Sequence, residues 1–224
     1  MKSKYRVPGW TFKRSQEISI IVTTLMVITA TIGLLIAPSF WAGLLLLIVA
    51  AAWIIILNFF RDPDREINWS PDQVLSPADG EIADIITISE SDYFEEPRTR
   101  IGIFLSLADV HLQRAPLSGS VAFIHYQEGK NLRAFDPAAS YENEQIIMGM
   151  NSTYGLVVVK QISGILARKC YNYCTEGEEI EAGQRYGLIK FGSRVEVYLP
   201  QNAELQCEVG DKVKGGLSIL ANIP

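Results

Sequence analysis

Residues 186–200 read YGLIKFGSRVEVYLP, and they contain the clearest strand pattern of the chain. From residue 194 onward apolar and polar side chains alternate, so the two valines and the leucine fall on one face of an extended strand. The pair Gly192-Ser193 stands where this alternation starts. A glycine within a strand pattern marks a bend or a close approach of the backbone. The stretch therefore predicts a strand that Gly192 and Ser193 interrupt or begin.

Similar short runs, alternating or rich in β-branched residues, lie between turn residues after residue 60. They predict strands over residues 81–88, 100–107, 119–126, 155–161 and 189–199. No helical period accompanies them. We therefore expect residues 61–224 to form a mainly β domain with a compact β-barrel or barrel-sandwich-like fold.

Two glycine-punctuated segments near the C-terminus resemble each other. Residues 176–183 read EGEEIEAG, and residues 208–216 read EVGDKVKGG. Such spacing is typical of barrel-sandwich domains such as lipoyl carriers, but the second segment lacks a Met-Lys-Met hairpin. Tight turns in a compact β barrel are the favoured interpretation.

The N-terminal part of the chain is apolar. Residues 18–60 contain no Asp, Glu, Lys or Arg, and these 43 residues would extend about 64 Å as one helix. That length approaches two crossings of a ~30 Å hydrocarbon core. Pro38 offers the natural break, which predicts helices from about residue 18 to 36 and from 40 to 60. We expect residues 1–60 to form a basic segment followed by a two-helix membrane anchor.

Charge divides the chain in the same place. The first 17 residues carry five basic and one acidic side chain, and the other 15 basic and 24 acidic residues all follow residue 60. The second part thus has a net charge of −9, which argues against nucleic-acid binding. Basic residues flank both ends of the apolar run, with Arg61 and Arg65 after it. The positive-inside rule then places both flanks, and the β domain, on the cytoplasmic side of the cell membrane.

Cysteine usage indicates no metal or disulfide framework. The cysteines are Cys170, Cys174 and Cys207, and their spacing matches neither a zinc site nor a set of disulfides. We expect reduced, partly buried thiols and no metal. The alternative is that Cys170 and Cys174 share one helix face as metal ligands.

Proton transfer near neutral pH has few candidates in this chain. Of the two histidines, His111 follows a strand-like run in the company of Asp109 and Arg114, whereas His125 lies in an apolar alternation and is interpreted as structural or exposed. The turn Pro-Ala-Asp-Gly at residues 77–80 presents Asp79. Each of these features, taken singly, is also consistent with an ordinary turn or core residue.

The Gly192-Ser193 pair has a chemical use as well as a structural one. Without a Cβ, Gly192 can adopt a strained geometry in which the Ser193 hydroxyl approaches its carbonyl. Attack converts the amide to an ester, and elimination across Cα and Cβ leaves dehydroalanine, which hydrolyses to a pyruvoyl group. An ordinary β-turn is the alternative for an isolated pair.

Several motifs in order resemble the phosphatidylserine decarboxylase proenzymes, in particular their short prokaryotic class. The matching segments are residues 59–65 (FFRDPDR), 77–80 (PADG), 104–119 (FLSLADVHLQRAPLSG), 143–145 (NEQ), 164–168 (GILAR) and 191–194 (FGSR). Two departures are visible: the family usually has Asn-Glu-Arg at 143–145, and longer members carry a second histidine where this chain has Arg114.

The resemblance implies self-cleavage between Gly192 and Ser193. The products would be a β chain of residues 1–192 and an α chain of residues 193–224 whose first residue, derived from Ser193, is a covalent pyruvoyl cofactor. It also implies that Asp79 orients His111 and that His111 activates Ser193, with Asp109 as the competing carboxylate. The pyruvoyl group would serve as the electron sink for decarboxylation of a serine phospholipid.

Other readings stay open on the sequence alone. A non-enzymatic membrane adaptor with a barrel-sandwich domain would remain one intact chain, and a membrane-bound serine hydrolase would use Ser193, His111 and Asp79 on another molecule. The substrate could be phosphatidylserine or the ether lipid archaetidylserine, and a homo-oligomer is allowed. Arg61, Arg65 and Arg114 are candidate partners for the phosphate or carboxylate of the lipid.

Overall fold

The computed structural model describes residues 9–89, 91–165, 169–190 and 193–224, with side chains from residue 17 onward. Within these ranges the chain divides into two compact units, one ending at Asp62 and the other beginning at Pro63. The first is helical and the second is mainly β. The predicted fold class is confirmed.

The helical unit consists of α1 (Gly9–Ile36) and α2 (Phe40–Phe59). The chain turns at residues 37–39 as predicted, and the Ser39 hydroxyl caps α2 by accepting from the Ala42 amide at 3.2 Å. The first helix begins earlier than predicted. Its Glu17–Ile36 portion and α2 have mean hydropathies of 2.3 and 2.7, and both are long and apolar enough to cross a membrane.

Polar groups inside the two helices are satisfied within the helical unit. Thr23 and Thr31 donate to carbonyl groups four residues earlier, each at 2.8 Å. The Trp53 indole N–H donates to Thr24 Oγ1 at 2.9 Å and so joins α2 to α1. Satisfaction of polar groups inside the pair is what a lipid environment requires.

The β unit contains fourteen described strands and one short helix. They are β1 (Gln73–Leu75), β2 (Gly80–Ile88), β3 (Arg98–Leu105), β4 (Leu112–Arg114), β5 (Gly119–Gln127), α3 (Ala139–Glu142), β6 (Gln145–Ser152), β7 (Gly155–Ile162), β8 (Cys170–Asn172), β9 (Glu179–Ile180), β10 (Arg185–Ile189), β11 (Ser193–Pro200), β12 (Glu204–Leu205), β13 (Lys212–Val213) and β14 (Ile219–Asn222).

Eight of these strands form a curled antiparallel sheet in the order β13-β2-β3-β11-β7-β6-β5-β9. Strand β11 lies in its interior, paired with β3 over its whole length and with β7 from Arg194 to Tyr198. One face of β11 presents Val195, Val197 and Leu199 to the main core, all fully buried. The predicted alternation of residues 194–199 is therefore confirmed.

The prediction of one strand over residues 189–199 is wrong. Strand β10 ends at Ile189 in a separate three-stranded sheet, β4-β10-β8, whereas β11 starts at Ser193 in the eight-stranded sheet. The chain changes sheets between them, because each half pairs with a different distant partner. Ser193 thus begins a strand. Of the two predictions made from the sequence, that Gly192 and Ser193 interrupt a strand or begin one, the structure agrees with the second for Ser193.

The two glycine-punctuated segments form tight turns, as favoured from the sequence. Gly183 and Gly216 close them with φ values of 75° each, a conformation that a glycine adopts at little cost. A Cβ on either glycine would lie 2.7 to 3.0 Å from the Ile67 side chain. The two turns therefore pack against the same residue of the segment that enters the β unit.

The three cysteines are free and buried, as expected. Cys170 lies in strand β8, so the alternative of a metal pair on one helix face with Cys174 is wrong.

The position of β11 predicts how the two expected cleavage products behave. An α chain of residues 193–224 would keep β11 between β3 and β7 and would keep β14 paired with β1. We expect the two fragments to migrate together on size exclusion in mild detergent and to separate only in denaturant. Native and denaturing mass spectra of one sample would check this. Spontaneous release of the smaller fragment would contradict the interior placement.

Candidate active site

Ser193 is a buried hydroxyl at a strand end. It lies opposite Leu105, the last residue of β3, and has no exposed surface. Its Oγ has no hydrogen-bond partner among the residues that the structure describes. Unsatisfied buried polar groups are uncommon and costly, and a reactive role is one recognised reason for them. Gly192, the other predicted cleavage residue, lies outside the described residues.

His111 is also fully buried and immediately precedes β4. Its Nδ1 lies 2.9 Å from the main-chain carbonyl oxygen of Asp109. A carbonyl oxygen can only accept a hydrogen bond, so this contact assigns the proton of the neutral imidazole to Nδ1. The lone pair is then on Nε2, which is the atom able to take a proton.

The backbone brings His111 and Ser193 to one corner of the β unit. The Ile189 amide donates to the His111 carbonyl at 3.3 Å, and Ser193 pairs with Leu105. Segment 105–111 leads from the eight-stranded sheet to the β4-β10-β8 sheet. Strand β10, which ends at Ile189, and strand β11, which begins at Ser193, belong to the same two sheets at this place. Residues more than 80 positions apart in the sequence are thus held together by main-chain pairing.

The two candidate orienting carboxylates have other partners in this structure. Asp109 Oδ2 accepts from the Ser106 amide at 2.8 Å and from the Ser106 hydroxyl at 2.6 Å, which closes the turn before His111. Asp79 binds the Arg65 guanidinium with both oxygens, at 2.7 and 2.8 Å, and accepts from the Gly215 amide at 2.8 Å. Orientation of His111 by Asp79 stays a prediction.

Two of the arginines considered for lipid binding are engaged within the protein. Arg65 forms the buried pair with Asp79, and Arg114 donates to the carbonyl oxygens of Gly183 at 3.0 Å and Pro63 at 3.2 Å. Both contacts fasten residues 63–67 to the rest of the β unit. The hydrogen bonds observed for Arg65 and Arg114 thus hold parts of the β unit together.

A network of buried charges lies on the face of β11 opposite the core. Glu196 is fully buried and accepts from Arg194 Nε at 2.8 Å, from Ser140 Oγ at 2.7 Å and from the Tyr198 hydroxyl at 2.6 Å. Arg100 lies 3.4 Å from the same carboxylate. The sequence showed Arg194, Glu196 and Tyr198 on one face, but nothing in it indicated that this face is buried.

Electrostatics keep this network charged. Burial alone would raise the pKa of Glu196, but Arg194, Arg100 and Lys160 outweigh burial and hold that pKa below its usual value. Burial lowers the pKa of Lys160, with Glu196 opposing the change. The residue after Ser193 is therefore anchored by buried ion pairs, and this anchor fixes where β11 begins.

The network predicts an acid-sensitive contribution to stability. Folding lowers the pKa of Glu196 below its ordinary value of about 4.5. The ionised carboxylate therefore stabilises the folded state fully above about pH 4.5, and this stabilisation is lost as the pH falls through the lower pKa of the folded state. Glu196→Gln should cost about 3 kcal/mol or more at pH 7, since it leaves buried cations uncompensated. The difference from the parent should shrink below about pH 4.5.

Urea unfolding midpoints measured from pH 7 to pH 3 would check this. The parent protein should carry Ser193→Ala, which is expected to keep the chain uncleaved. Glu142→Gln is the matched control, because Glu142 pairs with Lys130 at the exposed surface. A Glu196→Gln deficit that stays constant with pH would contradict the assignment.

Comparison with known proteins decides the family. Residues 54–221 match the family model described as phosphatidylserine decarboxylase. The chain belongs to the phosphatidylserine decarboxylase family. A phosphatidylserine decarboxylase proenzyme of Carboxydothermus hydrogenoformans is 39% identical over 186 residues, which cover 83% of this chain and 86% of the relative. One of Amoebophilus asiaticus is 43% identical over 169 residues, 75% of each chain.

Membership makes the chain a decarboxylase and confirms the resemblance read from the ordered motifs. The phosphatidylserine decarboxylase match includes the whole segment from Pro63 to Ala221, and hence His111 and Ser193. The non-enzymatic adaptor considered for the glycine-rich turns is therefore not supported.

Proposed function

We propose that this chain cleaves itself between Gly192 and Ser193 and uses the pyruvoyl group formed from Ser193 to decarboxylate a serine phospholipid. The observation that carries the proposal is the buried Ser193 hydroxyl, which lacks a hydrogen-bond partner among the described residues at the first position of β11. The name proenzyme given to both relatives is consistent with a precursor that is processed.

The cleavage chemistry begins with Ser193 Oγ. His111 Nε2 takes the hydroxyl proton while Oγ attacks the carbonyl carbon of Gly192, so the Gly192–Ser193 amide becomes an ester and the Ser193 nitrogen is released as an amine. Removal of the Ser193 Cα proton then expels the Gly192 carboxylate. The remaining dehydroalanine takes up water and loses ammonia, which leaves a ketone at the head of the α chain.

A buried, unpaired hydroxyl suits this first step. No existing hydrogen bond of Ser193 Oγ to a described residue must be broken before attack, and no bulk water reaches the side chain to compete for the acyl carbon. The Nδ1 contact with the Asp109 carbonyl keeps the His111 lone pair on Nε2 and stabilises the imidazolium after proton transfer.

The residues present fit the pyruvoyl group, because its precursor, Ser193, is held at a strand end beside the segment that carries His111. Once formed, the group supplies an electron sink for the pair released as carbon dioxide leaves the substrate. His111 can then return a proton to the substrate carbon from Nε2. The first residue of β11 stays positioned through Arg194 and the Glu196 network.

The substrate is proposed to be phosphatidylserine, or archaetidylserine in a membrane of ether lipids. A phospholipid keeps its chains in the bilayer, and the two apolar helices support membrane association. The basic residues on both flanks of these helices support a β unit on the cytoplasmic side.

Intact mass measurement tests the cleavage. The wild-type chain should give two fragments of 192 and 32 residues, the smaller blocked at its N-terminus by the pyruvoyl group. Ser193→Ala should give one chain, and His111→Ala should slow cleavage by at least about 100-fold, the smaller end of general-base contributions. A continuous wild-type chain with active decarboxylation would overturn the proposal, as would labelling of an intact Ser193 by a serine-hydrolase phosphonate.

Ser140→Ala is the matched control for this experiment. Ser140 Oγ is buried and donates to Glu196, so its removal should lower stability by about 1 to 3 kcal/mol and still permit cleavage. Ser193→Ala removes a hydroxyl without a described partner and should leave the melting temperature equal or higher. Loss of cleavage in both variants would point to a folding defect.

The role of Asp79 can be separated from that of Arg65. If Asp79 orients His111, Asp79→Asn should slow cleavage by a factor that Arg65→Gln does not reproduce. If the Asp79–Arg65 pair acts by holding residues 63–67, both variants should have similar effects and the double variant should be no worse than either. We expect the first outcome. Rates come from the decay of the uncleaved chain during cell-free synthesis.

A further inference from the structure

Three loops lie near the start of β11, and each presents an exposed apolar side chain. Leu107 follows β3, Phe135 precedes α3, and Ile165 follows β7. Their exposed fractions are 47%, 63% and 47%. Single exposed apolar residues are normal on a protein surface, but a group of three on separate loops around one buried site is not explained by the fold alone.

The loops are held together by specific contacts. Leu105 and Ile162, the last residues of β3 and β7, pair with Ser193 and Arg194, so the first and third loops leave the sheet on the two sides of β11. Asn143 Nδ2 donates to the carbonyl oxygens of Ser163 at 2.7 Å and Leu132 at 2.9 Å.

The second loop is fastened at both of its ends. The Leu132 amide donates to Asn143 Oδ1 at 2.7 Å, and the ring of Phe135 packs edge-on against Phe104 with centroids 6.3 Å apart. The exposed tips of the three loops are therefore displayed by a fixed framework.

Basic side chains are interleaved with the apolar ones. The Arg133 guanidinium lies over the Phe135 ring at 5.8 Å, and the half-buried Lys190 places its ammonium over the Tyr171 ring at 5.3 Å. The Lys190 amide lies 3.5 Å from the carbonyl oxygen of Lys169, and the Lys169 side chain is exposed. Three acidic side chains lie nearby. Asp109 and Asp136 accept main-chain hydrogen bonds in their own turns, and the buried Glu144, which is close enough to interact with Lys169, accepts from the Cys170 amide at 3.3 Å. This basic group is notable on a domain whose net charge is −9.

Apolar tips with basic neighbours have the composition of a surface that binds anionic lipid. The apolar side chains can enter the headgroup region, and each Lys or Arg near an anionic leaflet strengthens the electrostatic attraction to it. A protein partner would be expected to favour a flat or grooved surface with fewer charges at its centre. The chain also carries two helices fit to cross a membrane, so a bilayer is available to it.

We propose that Leu107, Phe135 and Ile165, together with Arg133, Lys169 and Lys190, form a loop rim that docks on the surface of an anionic bilayer and brings the Ser193 corner to the lipid headgroups. This contact is additional to the apolar helices. It rests on the proposed function only in that the rim lies beside the start of β11, where that site is assigned.

A thiol-directed test uses the full-length chain in nanodiscs. Leu107→Cys, Phe135→Cys and Ile165→Cys are labelled singly with an environment-sensitive nitrobenzoxadiazole dye. The native cysteines are at most 9% exposed, so the wild-type chain serves as the unlabelled blank. Thr153→Cys is the matched control, because it is exposed in the β6–β7 turn, about 26 Å along β7 from Ile162.

Discs contain either phosphatidylcholine alone or phosphatidylcholine with phosphatidylglycerol, an anionic lipid that is not the proposed substrate. We expect dye at the three rim positions to emit at shorter wavelength and higher intensity in the anionic discs, and dye at position 153 to remain unchanged. Arg133→Glu with Lys169→Glu, or 1 M salt, should abolish the shift at position 135, since the Debye length falls from about 10 Å to about 3 Å between 0.1 and 1 M salt.

Absence of a shift at all three rim positions would overturn the rim. An equal shift at position 153, or equal shifts in neutral and anionic discs, would also overturn it as an anionic docking surface. Intact mass of the same samples reports self-cleavage separately. A cleaved sample without a shift would reject the rim alone, and an uncleaved wild-type sample with the shift would keep the rim and reject the proposed function.

Discussion

The pairing of β11 with β3 on one side and β7 on the other is the constraint on which the site depends. It sets Ser193 opposite the end of β3, and from there the chain runs through the turn of Asp109 to His111. Interior strands of a sheet have both edges paired, so the first residue of β11 has little freedom to move. The Ser193 hydroxyl, which we propose to be reactive, is held in this way without any hydrogen bond to a described residue.

The two faces of β11 have different surroundings. The face of Ser193 and Val195 belongs to the main core, where water is excluded. The opposite face carries Arg194 and Glu196 in a network of buried ion pairs. Buried charges of this kind add little net stability compared with apolar packing, but they penalise any other register of the strand. Specific placement of Ser193 is what the network contributes.

Asp79 connects the site to the entry of the β unit. Its pair with Arg65 and the bonds of Arg114 to Pro63 and Gly183 hold the first residues of that unit against the glycine turns. The same carboxylate is the one that we propose to orient the histidine acting on Ser193. Because Arg114 stands where longer members of the family are expected to carry a second histidine, we propose that proton transfer in this chain falls to His111 or to water.

The sequence by itself determined the two apolar helices and the mainly β class, because an uncharged run and a two-residue alternation are local properties. The order of its motifs also determined the family. Only the tertiary structure decided that residues 189–199 belong to two sheets, that the Arg194 face is buried, and that Asp79 pairs with Arg65. Each of these depends on contacts between residues far apart in the chain, and no local pattern encodes which distant segment will supply the partner.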